Sequence, residues 1–178
     1  MSRVGKQILK VPAGVELNLA SGVLTVKGAK GTLTKTFKTN IVDIKIENGE
    51  VSFVPKNQEN MTRALWGTYA SHVENMMEGV TNGYEKKLEV EGVGYKSAVE
   101  GTNLKFSLGF SHPVIMAIPE GLKVTAEKNV IVVSGSDKES VGQFSAKIRD
   151  QKPPEPYKGK GIHYQGEYIR RKQGKKAV

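Results

Sequence analysis

Pro12-Ala13-Gly14-Val15-Glu16-Leu17 returns in kind as Pro119-Glu120-Gly121-Leu122-Lys123-Val124, 107 positions later. At the same offset Val23, Leu24, Val26 and Gly28 meet Val130, Ile131, Val133 and Gly135. A second block, offset by 75, sets Trp66-Gly67-Thr68-Tyr69 against Val141-Gly142-Gln143-Phe144, and Val73 against Ile148. The two matches run in the same order along the chain, with an insertion in the first copy. Ordered self-similarity of this kind marks a duplicated strand-hairpin-helix unit. It divides the chain into two similar small domains joined near Gly79-Val80-Thr81-Asn82-Gly83.

Local patterns agree with that division. Val15-Glu16-Leu17-Asn18-Leu19 and Val23-Leu24-Thr25-Val26 alternate about Ser21-Gly22, the pattern of a hairpin. Ile44, Ile46, Val51 and Phe53 flank Asn48-Gly49, a pair that favours the positive φ angles of a two-residue hairpin turn. In the second half, Leu88-Glu89-Val90 through Val99, Leu104–Leu108 and the β-branched run Val130–Val133 read as further strands. Residues 58–78 place Met61, Leu65, Tyr69, Val73 and Met76 on one helical face, with Asn57 as the cap and Gly79 as the stop. A second helix opens at Ser136-Asp137-Lys138-Glu139, a capping box, and buries Val141, Phe144 and Ile148. It must stop near Lys152, because Pro153 and Pro154 cannot continue it. The expected fold is α+β: two similar small domains from an internal duplication, each an antiparallel or mixed sheet packed by one main helix. Their expected spans are 1–81 and 82–152, followed by an extended basic tail over 153–178.

The chain has 178 residues, of which 38% are hydrophobic and 25% charged, a balance that supports a modest globular core. It contains no run of apolar residues long enough for a membrane-spanning helix. Met1-Ser2-Arg3-Val4-Gly5-Lys6 lacks the apolar stretch of a secretory signal, so the expected location is cytoplasmic. Cysteine is absent, which removes disulfides, thiolate metal sites and cysteine nucleophiles. The net charge of +9 is unevenly placed. Residues 1–38 hold seven basic residues and one acidic, and residues 152–178 hold eight and two, whereas the stretch between is acidic. A near-neutral body with two basic ends favours a polyanionic partner.

Signals for catalysis are thin. His72, His112 and His163 are scattered, in no metal-binding spacing, and read as surface or packing residues. Gly92-Val93-Gly94 lacks both the third glycine and the following helix of a dinucleotide fingerprint. Gly28-Ala29-Lys30-Gly31-Thr32 has the wrong spacing for a phosphate loop and reads as a hairpin turn. Glu89 and Glu91 share one strand face and read as a solvated edge. No catalytic constellation, cofactor site or metal site is expected.

The informative stretch is the last one. Prolines 153, 154 and 156 stiffen it, and Gly159 and Gly161 would let the backbone come close to a phosphate or ribose. Lys158 and Lys160 supply point charges, while Tyr157, Tyr164 and Tyr168 can stack on bases or riboses. Arg170 and Arg171 offer planar forks suited to phosphate. From charge alone Lys152, Lys172, Lys175 and Lys176 join them, with Arg149 near the end of the second helix. Arg3 and Lys6 on the N-terminal arm are further candidates. Charge and stacking leave open RNA, DNA, or a scaffold protein whose tail only solubilises.

Pro154-Glu155-Pro156-Tyr157-Lys158-Gly159-Lys160-Gly161-Ile162 resembles the signature of a family, the sixth protein of the large ribosomal subunit in its bacterial form. Met1–Lys6, Val11–Val15, Val26–Gly31, Lys86–Leu88 through Gly92–Tyr95, and Leu108–Pro113 resemble the same family in order along the chain. His163 stands where the resemblance leads one to expect an arginine. The resemblance implies two duplicated α+β domains, no enzymatic activity, and binding to large-subunit rRNA chiefly through the second domain and the tail. The implied contacts are Tyr157, Lys158, Gly159, Lys160 and Gly161, with His163 in the same run. The implied setting is near the sarcin-ricin stem and the base of the factor-binding stalk. Neighbouring large-subunit proteins and passing translation factors are the other implied partners; neither a membrane nor a homo-oligomer is expected.

Overall fold

The computed structural model describes residues 3–174. The chain forms two compact units that part between Gly83 and Tyr84, residues 136–138 counting with the first.

The first unit runs β1 (Leu9–Lys10), β2 (Glu16–Ala20), β3 (Val23–Gly28), β4 (Gly31–Thr36), β5 (Val42–Glu47), β6 (Glu50–Pro55) and α1 (Asn60–Thr81). It contains two three-stranded sheets, β2-β3-β4 and β1-β6-β5. The second unit runs β7 (Tyr84–Glu91), β8 (Lys96–Glu100), β9 (Asn103–Ser107), β10 (Val114–Ala117), β11 (Leu122–Glu127), β12 (Val130–Gly135), α2 (Lys138–Gln151) and β13 (Gly161–Tyr164). Its sheets are β10-β9-β8 and β11-β12-β7-β13. Every strand pair among the described residues is antiparallel, so the mixed sheet held open by the sequence does not form.

Both units are built to one plan. A strand is followed by a three-stranded meander and a hairpin whose second strand pairs back to the first, and a helix closes the set. The match at an offset of 107 sets β2–β3 against β11–β12, which hold different places in this plan. The topological counterparts of β11 and β12 are β5 and β6, which precede them by 80 residues at both ends. The misleading match arises because each of these hairpins has a tight two-residue turn and a second strand alternating inward and outward. Their turns contain left-handed residues, Ser21 (φ 49°), Asn48 (φ 51°) and Lys128 (φ 52°).

α1 runs past Gly79 to Thr81 and ends where the Asn82 N–H donates to Glu78 O at 2.8 Å. Gly79 is therefore buried inside the helix and does not stop it. At the other end, Asn57 Oδ1 accepts from the Glu59 N–H at 3.4 Å and from the Thr62 hydroxyl, ahead of the cap residue Glu59. Of the expected face, Tyr69, Val73 and Met76 are buried and Leu65 packs against the core, whereas Met61 is 59% exposed; Trp66, Ala70, Met77 and Val80 complete the buried stripe. Trp66 Nε1 donates to Phe53 O at 2.9 Å, so its one polar atom is satisfied inside the core. α2 ends at Gln151, as its prolines require, and buries Val141, Phe144, Ser145 and Ile148. These pack with Leu88, Val90, Leu104, Phe106, Ile131, Val133 and Ile162 into the core of the second unit.

Candidate nucleic-acid interface

The stretch after α2 is a folded part of the second unit. Its centre, Gly161–Tyr164, adds a fourth strand to the sheet, pairing Gly161 with Glu91, Ile162 with Val90, His163 with Glu89 and Tyr164 with Leu88. Ile162 is fully buried, and sealing a side chain of that size stabilises by roughly 1.5–3 kcal/mol. Three backbone bonds shape the turn that leads in. Ile162 N–H donates to Lys152 O at 2.7 Å, Glu155 N–H to Lys160 O at 2.9 Å, and Gly159 N–H to Glu155 O at 3.1 Å. A fourth, from Lys172 N–H to Pro156 O at 2.6 Å, brings the outgoing chain back over the turn.

The two glycines serve this packing. Both are buried. A Cβ on Gly161 (φ 147°) would sit 2.6 Å from Pro153 O and 2.7 Å from Pro154 Cα. One on Gly159 (φ 75°) would sit 2.9 Å from Nε of Arg171, whose guanidinium lies across it. His163 is 6% exposed. Tyr164 is half-buried, with Lys86 Nζ and Arg149 Cζ over its ring at 5.7 and 5.9 Å, so its ring is not free to stack on a base.

Arg149 is likewise committed. Its Nη2 donates to Glu167 Oε1 at 2.6 Å and its Nε to Glu167 Oε2 at 3.1 Å, a two-point ion pair with side chains only 29% and 27% exposed. The Tyr164 N–H adds a third donor to the same carboxylate at 3.0 Å. Arg149 thus fastens the last segment to α2 and is not a free phosphate fork. Lys152 is partly engaged too, its Nζ 4.6 Å over the Phe110 ring.

What remains on the outside is Tyr157, Lys158, Tyr168, Arg170, Arg171 and Lys172, all exposed, with Lys160 half-exposed. Tyr157 and Tyr168 are 59% and 90% exposed, so both rings are accessible from solvent. Cations and flat rings on one anchored segment can bind phosphates and stack on unpaired bases or riboses. Arg3 and Lys6 are exposed in the first unit, ahead of β1. Lys175 and Lys176 lie outside the described residues. Sequence reasoning missed Glu167, whose one legible signal is that it is an acid set among cations.

The Glu167 carboxyl is held below the usual carboxylate range, first by the Arg149 hydrogen bonds and then by the Tyr164 N–H. A depressed acid stabilises the fold above its unfolded pKa and loses that contribution as pH falls through the folded value. Acidification below about pH 4.5 is therefore expected to loosen Gly161–Tyr164, by on the order of 1 kcal/mol for a pair this close to solvent. Thermal melts of the wild type and Glu167→Gln across the acid range check this. The variant should start less stable and show a flatter acid limb.

The family described as ribosomal protein L6 matches residues 11–83 and 91–165. The large ribosomal subunit protein uL6 of Erythrobacter litoralis is 49% identical over 177 residues, covering 99% of each chain. Those of Campylobacter lari and Fusobacterium nucleatum are also 49% identical, covering 98% of each chain in the first case, and 99% of this chain and 100% of its relative in the second. With a match extending over both units and into β13, the chain belongs to the ribosomal protein L6 family.

Proposed function

We propose that this protein is a structural, non-enzymatic constituent of the large ribosomal subunit in the cytoplasm, binding large-subunit rRNA through the segment 152–174. The observation that carries the reading is the group Tyr157, Lys158, Tyr168, Arg170, Arg171 and Lys172, all exposed, with half-exposed Lys160, on the segments flanking a strand anchored by Ile162 and by the Arg149–Glu167 pair. Lys152 lies at its border, and the basic stretch 1–38, with Arg3 and Lys6, offers a second surface. The family's setting suggests a site near the sarcin-ricin stem and the base of the factor-binding stalk, beside other large-subunit proteins and within reach of translation factors. Binding there rests on charge neutralisation and shape, because an RNA duplex hides its base edges in a deep, narrow groove.

Sedimentation of a cell lysate through a sucrose gradient tests the reading. The expected result is stoichiometric co-migration with the large subunit, persisting through moderate salt. Migration as a free small protein at low salt would overturn it.

A further inference from the structure

His163 is buried, yet one of its ring nitrogens has no hydrogen-bond partner. Its Nδ1 lies 3.0 Å from Tyr164 O, and a carbonyl can only accept, so Nδ1 carries the hydrogen. In the neutral ring Nε2 then presents its lone pair. Nε2 is sealed from solvent, with no hydrogen-bond partner, and the nearest charged group is Glu91 Oε1 at 3.7 Å. A bare lone pair facing a carboxylate is repulsive, so a cation, either a proton on Nε2 or a metal ion, belongs between them.

The strand register gathers a third group. Glu89 and Glu91 alternate onto one face of β7, His163 lies directly opposite Glu89, and Gly161 lies opposite Glu91. Gly161 has no side chain, so Glu91 can lean diagonally toward His163. One ligand atom from each of Glu89, Glu91 and His163 lies within 4.8 Å of the others. β13 pairs along the edge of β7 here, leaving Glu91 exposed, as its spacing suggested, and Glu89 half-buried.

We propose that Glu89, Glu91 and His163 form a binding site for a divalent cation of the zinc class. Imidazole nitrogen suits borderline metals such as zinc and is a poor ligand for calcium or magnesium. Two carboxylates balance the charge of a dication. Tetrahedral zinc with bonds of about 2.0–2.1 Å places its ligand atoms ~3.3 Å apart. The 3.7 Å between Nε2 and Oε1 is near that spacing, and the three ligand atoms, within 4.8 Å of one another, would have to draw in around the ion. The bond from Nδ1–H to a backbone carbonyl is the outer contact that fixes the ring of a metal-bound histidine. Glu91 is exposed and opens onto a recess of about 460 Å³ lined by Glu91, His163, Glu167, Tyr168, Ile169 and Arg171. That recess supplies an entry path and room for water as a fourth ligand. Of its other charges, Glu167 is held by Arg149, and the Arg171 guanidinium lies across Gly159. A bound ion would cross-link β7 to β13.

The test is titration of the purified full-length protein with zinc chloride by calorimetry, with cobalt(II) as a spectroscopic stand-in. One equivalent of zinc should bind and raise the melting temperature, and chelator should reverse both effects. Binding should weaken about tenfold or more in Glu91→Gln and in His163→Gln, and stay unchanged in Glu120→Gln, which alters an exposed acid elsewhere in the unit. Should His163→Gln fail to fold, Glu91→Gln still decides, since Glu91 sits at the solvent-facing mouth of the site. No uptake by the wild type, uptake undiminished in Glu91→Gln, or equal affinity for magnesium would each overturn the proposal.

Discussion

Gly161→Ala is expected to detach β13 from the sheet and to lower the melting temperature of the second unit by about 10 °C or more. The added methyl would meet Pro153 O at 2.6 Å, Pro153 C at 2.7 Å and Pro154 Cα at 2.7 Å. All three are backbone atoms of a proline-stiffened turn, which cannot swing aside as a flexible side chain would. The backbone at φ 147° adds strain for any residue with a Cβ. Clash and strain together cost about 2–4 kcal/mol. Gly166→Ala is the comparator, because its φ of 78° carries the strain while nothing lies within 4 Å of its Cβ. Amide exchange over Gly161–Tyr164 should accelerate sharply in the first variant and little in the second. Equal, mild effects would show that the approach to Pro153–Pro154 is not what fixes the strand.

Reversing Lys158 and Lys160 together to glutamate is expected to weaken rRNA binding by roughly 100-fold near 0.1 M salt. Each lost phosphate contact removes about 0.7–0.9 from the slope of log affinity against log salt, so the slope should flatten by ~1.4–1.8. Reversal adds repulsion beyond simple loss. Neither side chain is buried, so thermal stability should shift by no more than about 0.5 kcal/mol. Salt-dependent filter binding with a large-subunit rRNA fragment reads both quantities. A loss independent of salt, or none, would remove these lysines from the interface.

Much of the architecture was legible because it rests on local chemistry. Asn48-Gly49 demanded a hairpin, Pro153-Pro154 demanded a helix end, and the apolar spacing of both helices pointed to their buried faces. Gly79 misled because a lone glycine inside a well-packed helix is tolerated when neighbours such as Val73 and Val80 hold the turn. β1 was illegible because it is two residues long and exists only through its pairing with Val51 and Glu50.

The candidate site divides in the same way. Charge and exposed tyrosines could be read directly, since solvent-facing groups owe little to the rest of the fold. Arg149, Tyr164, His163 and the two glycines could not be sorted from them, because their partners come from distant parts of the chain. His163 finds Glu89 and Glu91 only across a strand pairing that spans more than seventy residues, which no local spacing rule detects.

That pairing also has a bearing on the order in which the chain matures. β7 is flanked in the finished sheet by β12 and β13, and the last of these is made only after residues 92–160. At a synthesis rate of 5–20 residues per second, one side of β7 stays unpaired for about 3–14 s. During that interval its open N–H and C=O groups, next to Leu88 and Val90, form an adhesive template for any other nascent strand. The basic segment that faces outward in the mature protein is therefore fused to the piece that closes this edge. Only a chain that has completed its own sheet can present those cations in their final geometry.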